Sequence, residues 1–218
     1  MVSQVSGQRD GGRRARNRRG EGGRLREELV EAARRLLATA DHEREVSIRA
    51  VTREAGAAPQ SFYLQFASLG ELLYTVYELE YEELRQVLTN AASRARDPRA
   101  RLEAVCTAYC QYAQEQPGRY RALTGVRGQP SHQGWDGRPL PGAPAFAVLL
   151  DTVTQALAAA GSSADPFLAA STLWASLHGL VSLRASRPAF PWPPLADMIT
   201  SIAEQLLSTP ARAASRRP

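Results

Sequence analysis

The stretch REAGAAPQSFYLQF, residues 53–66, stops one helix and starts another within three residues. Gly56 can take the left-handed backbone that closes a helix. Pro59 suits a first helical position, because its φ is already fixed and the N–H it lacks would have no partner there. Two short helices joined by so tight a turn would pack on a first helix. The segment before them supplies it. Leu25, Leu29, Ala32, Ala33, Leu36 and Leu37 recur at helical spacing, which predicts a first helix ending near Ala40. A charged link, 41–45, leads to Ser47, placed to cap a second helix with Ile48, Val51 and Ala55 on one face. Phe62 and Phe66, four apart, give the third helix an apolar side that should pack on the first two.

Helical spacing continues to the end of the chain, and no segment alternates as a strand would. Ser68 is placed to cap a long fourth helix, with Leu69, Leu72, Leu73, Val76 and Val87 in a buried stripe, running to about Arg94. Asp97-Pro98 opens a fifth, with Leu102, Val105, Cys106 and Tyr109 inward, broken at Gln116-Pro117-Gly118. A short sixth holds Tyr120 and Leu123. Residues 125–144 contain five glycines and four prolines and read as a loop. A seventh helix carries Phe146, Leu150, Val153 and Leu157. Asp165-Pro166 opens an eighth, with Phe167, Trp174, His178 and Val181 along one face. Proline-rich 188–194 turns the chain into a ninth, with Met198, Ile199, Ile202 and Leu206. The expected fold is therefore all-α, with nine helices.

Net charge is +5, but eight arginines against Asp10 and Glu21 give residues 1–26 a net +6 and leave the remainder at −1. Residues 1–22 read either as a disordered solubilising tail or as a basic arm that contacts phosphates or a minor groove. Residues 209–218 read as a loose C-terminal tail. No apolar run is of bilayer length and no apolar leader is present, so a cytoplasmic location is the expectation. The three histidines (42, 132 and 178) are scattered, with no Ser–His pairing and no phosphate loop, so no catalytic constellation is evident and an enzyme is not expected. No cofactor is expected. Cys106 and Cys110, four apart on one helix, suit a two-point metal grip. However, zinc takes three or four ligands and nothing nearby completes the set, so buried thiols are the expected reading.

Two short helices joined by a glycine turn and packed on a first form a helix-turn-helix, whose second helix enters the DNA major groove. In that frame Pro59, Gln60 and Ser61 face bases, and Gln60 offers the donor–acceptor pair that suits adenine. Tyr63 and Gln65 would reach phosphates, with Ser47, Arg49 and Arg53 where the preceding helix crosses the backbone. The alternative is an ordinary α-hairpin within a helical bundle. Glu31-Ala32-Ala33, Ser47, Ala55-Gly56-Ala57-Ala58, Tyr63-Leu64-Gln65-Phe66, Ser68 and Leu72 resemble the DNA-binding domain of the tetracycline-repressor (TetR) family. The chain departs from that pattern at Ala58, where a capping Ser is usual, at Thr52 (Ala), at Gln65 (His) and at Leu69 (Lys).

AYCQYAQEQPGRYRAL (108–123) and LWASLHGLVSLRASRPAFPW (173–192) resemble the C-terminal regulatory domain of one TetR subgroup, marked by a Trp…His-Gly signature, here Trp174, His178 and Gly179. The resemblance implies residues 23–67 as a DNA-binding domain, with Ala58 at the start of the reading helix, and 68–208 as a ligand-binding and dimerisation domain. It implies a homodimeric transcriptional regulator, expected to be a repressor, on a pseudo-palindromic operator in double-stranded DNA, released by a small-molecule effector. Cys106, Tyr109, Cys110, Phe146, Trp174 and His178 are the candidate effector residues, with plain core packing the alternative for each; for His178 the following Gly179 fits close helix packing. Leu173, Leu177, Leu180, Ile202 and Leu206 are the candidates for a four-helix dimer interface. The competing functions are a helical interaction module without DNA binding and a helical enzyme.

Overall fold

The computed structural model describes residues 22–40, 45–124 and 137–208. Residues 1–21 of the proposed N-terminal arm, the C-terminal tail, most of the link at 41–45 and residues 125–136 of the glycine–proline loop lie outside the described residues, and Gly22, the last residue of the proposed arm, begins the first helix. Among the described residues there are nine α-helices and no strand. They are α1 (Gly22–Thr39), α2 (Ile48–Glu54), α3 (Pro59–Phe62), α4 (Leu69–Arg94), α5 (Pro98–Glu115), α6 (Pro117–Thr124), α7 (Ala143–Ala159), α8 (Pro166–Ser186) and α9 (Leu195–Ser208).

The helix starts follow local chemistry. The side chains of Ser47, Ser68, Asp97 and Asp165 accept the backbone N–H of Ala50, Glu71, Ala100 and Leu168 at 3.2, 3.1, 2.8 and 2.9 Å. Each such cap contributes about 1 kcal/mol. At α4 the Glu71 carboxylate also accepts from the N–H of Ala67, the residue before the cap, at 2.7 Å, which ties the entering chain to the first turn. Helix α5 is separated from α6 by Gln116 alone, because Pro117 both interrupts the ladder and opens the next helix.

Two apolar cores form. The first joins α1, α2 and α3 to the start of α4 through Leu29, Leu37, Val51, Phe62, Phe66 and Val76, all essentially fully buried. It continues along α4 to Tyr77 and takes in Ala122 of α6, so the three-helix head shares its packing with the larger body. The second core joins the rest of α4 to α5, α6, α7, α8 and α9 around Leu102, Val105, Val153, Leu173 and Leu177. Tyr81 packs against both. A Cβ at position 142 would lie 2.9 Å from its ring, so Gly142 is what allows the chain entering α7 to cross α4 so closely.

Helix α8 differs from expectation in two ways. Its core face is Ala170, Leu173, Leu177 and Leu180, continuing to Val181, whereas Phe167 and Trp174 are exposed and His178 is half-buried. It is also long and apolar enough to cross a membrane by length and composition, against the sequence expectation that no run is. The reason is the same for both: Arg184 is its one charged side chain, so the apolar pattern runs around the whole helix and does not reveal which side the subunit uses.

Candidate functional site

The turn after α2 is closed by a paired hydrogen-bond motif. The Gly56 N–H donates to the Arg53 carbonyl at 3.1 Å and the Ala57 N–H to the Thr52 carbonyl at 2.8 Å. This geometry needs the left-handed backbone that Gly56 has, at φ 63°. Thr52 is buried at the helix contact, and its hydroxyl is satisfied by the Ile48 carbonyl at 2.8 Å, so burying it leaves no orphan donor. Ala58 provides no side-chain cap for α3, and Pro59 stands at its first position.

Phe62 and Phe66 anchor the segment from below. Ala58, Pro59 and Gln60 are exposed and Ser61 is half-buried. Beyond α3 three turn residues complete the tip, with Tyr63 at 64% exposure. Gln65 is half-buried, and its carbonyl accepts from Arg26 Nη1 at 2.8 Å while that guanidinium sits 4.1 Å from the centre of the Phe66 ring. Arg26 is therefore used inside the head. Ser47, Arg49 and Arg53 are exposed, and among the described residues no ion pair engages either arginine. Leu64, 76% exposed beside Tyr63, was not singled out from sequence; its only signal was an apolar residue between two surface polar ones.

The six proposed effector residues fall in three places. Cys106 and Cys110 are fully buried, and burial pushes both thiols up to about 12, so they are protonated core groups. Among the described residues no group of three or more His, Cys, Asp or Glu could hold a metal. Phe146 and Trp174 meet edge to face at 6.0 Å between ring centres, with Phe167 joining Phe146 at 5.7 Å, at the rim between α7 and α8. Tyr109 and His178 are linked through Tyr120: the two tyrosine oxygens are 2.9 Å apart, and the Tyr120 hydroxyl is 2.7 Å from His178 Nδ1. Burial lowers the His178 pKa and favours the neutral ring, able to accept at Nδ1.

A cavity of about 670 Å³ opens beside that chain, between the end of α5, α6, the C-terminal half of α8 and the proline-rich turn. Of the six residues only His178 lines it, with Tyr120, Arg121, Arg184, Pro188 and Trp192. Sequence reasoning missed these five because the cavity exists only when the turn before α9 folds back. There Arg184 Nη1 donates to the Pro193 carbonyl at 2.9 Å and the Trp192 indole to the Arg187 carbonyl at 3.0 Å.

The dimer candidates divide by burial. Leu173, Leu177 and Leu180 are buried in the subunit's own core. Ile202 and Leu206 are half-buried against the same core. The outward side of α8 is instead formed by Leu168, Thr172, Ala175 and Leu183, with half-buried Gly179 between them. A Cβ at Gly179 would meet nothing within 4 Å, so the close packing read from that glycine does not occur within the subunit.

Head and body are joined by charge as well as packing. Arg34 of α1 bonds buried Glu80 and partly exposed Glu83 of α4 at 2.5 and 3.1 Å, and Arg119 of α6 pairs with Glu83. On the same side α6 lies across α1, where a Cβ at Gly118 would stand 3.0 Å from that of Ala38.

Residues 102–209 match the family model for the tetracyclin repressor-like C-terminal domain. Among solved structures, a protein of unknown function from Rhodococcus sp. RHA1 aligns over 86% of this chain and 96% of its own, at 23% identity and a TM-score of 0.67. A TetR family transcription regulator from Marinobacter aquaeolei VT8 aligns over 87% and 97%, at 18% identity and 0.64. The transcriptional regulator FadR from Bacillus subtilis, solved in complex with stearoyl-CoA, aligns over 84% and 97%, at 14% identity and 0.67. Residues 102–209 thus carry a tetracyclin repressor-like C-terminal domain behind a glycine-turned three-helix head, in a fold shared with solved TetR family transcription regulators.

Proposed function

We propose that this protein is a homodimeric, cytoplasmic, DNA-binding regulator, a repressor released from a pseudo-palindromic operator by a small-molecule effector. The observation that carries the reading is the exposed tip at 58–63, anchored by buried Phe62 and Phe66 and flanked by exposed Arg49 and Arg53, which enter no ion pair among the described residues. Gln60 and Ser61 read bases. Tyr63, Ser47 and the two arginines hold the phosphates, and contacts of that kind fix register while base edges give sequence. With Ala58 where a capping serine is usual, position 58 has no hydroxyl and contributes shape only.

The dimer forms through the outward sides of α8 and α9. Leu168, Thr172, Ala175, Gly179 and Leu183 make an uncharged strip with one small gap, into which a second copy's helix can pack. This also accounts for an apolar, incompletely covered α8 without invoking a bilayer. An effector bound in the body shifts operator affinity only by its differential binding to the two head separations. The α1–α6 crossing and the Arg34–Glu80–Glu83–Arg119 junction are the contacts through which α6 and α4 move the head.

The test is fluorescence anisotropy with the DNA upstream of the protein's own gene, titrated across a salt series. Sequence-selective binding that weakens steeply with salt is expected. Absence of selective binding at low salt overturns the proposal.

A further inference from the structure

We infer that the cavity between α5, α6, α8 and the 188–194 turn binds an organic anion with an apolar body, its charge held by Arg121 and Arg184. This deepens the effector-responsive reading and rests on it.

Among the described residues the lining carries two arginines and no acidic residue. Neither guanidinium is ion-paired among the described residues. Arg184 is already held in place, with one N–H on the Pro193 carbonyl and its guanidinium carbon 5.8 Å from the centre of the Trp192 ring, leaving further donors to offer. Fixed guanidinium donors suit a carboxylate or a similar oxyanion. Val181, Pro188 and Trp192 supply the apolar wall, and about 670 Å³ is within the range of small-molecule sites.

The inner wall fits the same ligand. Tyr109 is buried and its hydroxyl meets that of Tyr120, which meets His178 Nδ1. The direction Tyr109 to Tyr120 to His178 Nδ1 requires no further acceptor for either phenol. With that direction the His178 proton sits on Nε2, a further donor on a residue that lines the cavity. An anion thus meets donors, whereas a cation would meet two positive charges.

Isothermal titration calorimetry of the full chain with 2-naphthoate and 2-naphthamide tests this, because the two differ in charge and scarcely in shape. The naphthoate should bind about tenfold more tightly. R121Q and R184Q should each erase most of that preference with little change for the amide, while R96Q, outside the cavity, should leave it intact. Equal affinities, no heat from either compound at millimolar concentration, or an unchanged preference in both R121Q and R184Q overturns the inference. R184Q also loses the Pro193 contact, so if it binds neither compound, exposed Arg121 decides the matter. Operator binding by the same preparation separates the two claims. Selective DNA binding without a naphthoate preference sinks the inference alone; a naphthoate preference without DNA binding sinks the regulator reading alone.

Discussion

Two leucines on α8, six residues apart, should fail in opposite ways. Leu177 is 1% exposed, packed among α5, α7, α8 and α9 side chains of its own subunit. Leu177→Ala removes three buried carbons from a site closed on all sides. Leu-to-Ala substitutions in such sites cost about 2–5 kcal/mol, the upper part applying where the surroundings cannot collapse, so about 3 kcal/mol is expected. Leu183 is 53% exposed in the isolated subunit. Leu183→Asp should therefore change subunit stability by only about 0.5 kcal/mol. In a two-fold dimer, however, it places one unpaired carboxylate from each copy into the apolar strip, a symmetric penalty large enough to separate the subunits. Sedimentation equilibrium over a concentration series reports the dimer, and urea unfolding at fixed concentration reports the subunit. L177A should retain the wild-type association with a lower unfolding midpoint. L183D should sediment as a monomer with wild-type helicity. If L177A dissociates the dimer without lowering subunit stability, or L183D remains a dimer, the assignment of the two faces of α8 is wrong.

Gly56→Ala should cost about 1 kcal/mol in thermal or urea unfolding, because open space surrounds the new Cβ and only the left-handed backbone at φ 63° opposes it; Gly56→Asn should cost less, and the reverse order would refute the turn geometry. Cys106 and Cys110, pushed up to about 12, should react with a thiol reagent at pH 8 only as fast as the chain unfolds, and rapid labelling of the native protein would contradict their burial. His178 should titrate below its ordinary 6.5 by NMR. Since the unfolded chain takes up this proton at the higher pH, its contribution to stability is complete above about 6.5 and falls as pH drops towards the folded value; a midpoint above 6.5 would contradict a neutral ring accepting from Tyr120.

The parts of the fold legible in the sequence are those written in neighbouring residues. Ser47, Ser68, Asp97 and Asp165 announce helix starts by a side-chain oxygen one turn before the N–H it accepts, and Gly56 and Pro59 announce a stop and a start by backbone preference alone. The bounds of α4 follow from such signals. What was not legible depends on which other element arrives. Leu173 and Leu183 are both leucines on one apolar helix, and only the packing of α5, α7 and α9 decides that the first is core and the second surface. The cavity brings together Tyr120, His178 and Trp192, far apart in sequence, through a turn whose folding back on Arg184 has no local signature. Gly118 was readable as a helix breaker, but its close approach to Ala38 belongs to a partner helix some eighty positions earlier.

Two copies of the 58–63 tip should read DNA as a symmetric pair, which hydroxyl-radical footprinting of the full chain on the DNA upstream of its own gene would reveal. Two protected half-sites related by a dyad are expected, with centres about 34–36 Å apart along the helix axis or a multiple of that, and protection lost together in L183D. Protection that is absent, or confined to a single half-site with no dyad-related partner, would contradict it.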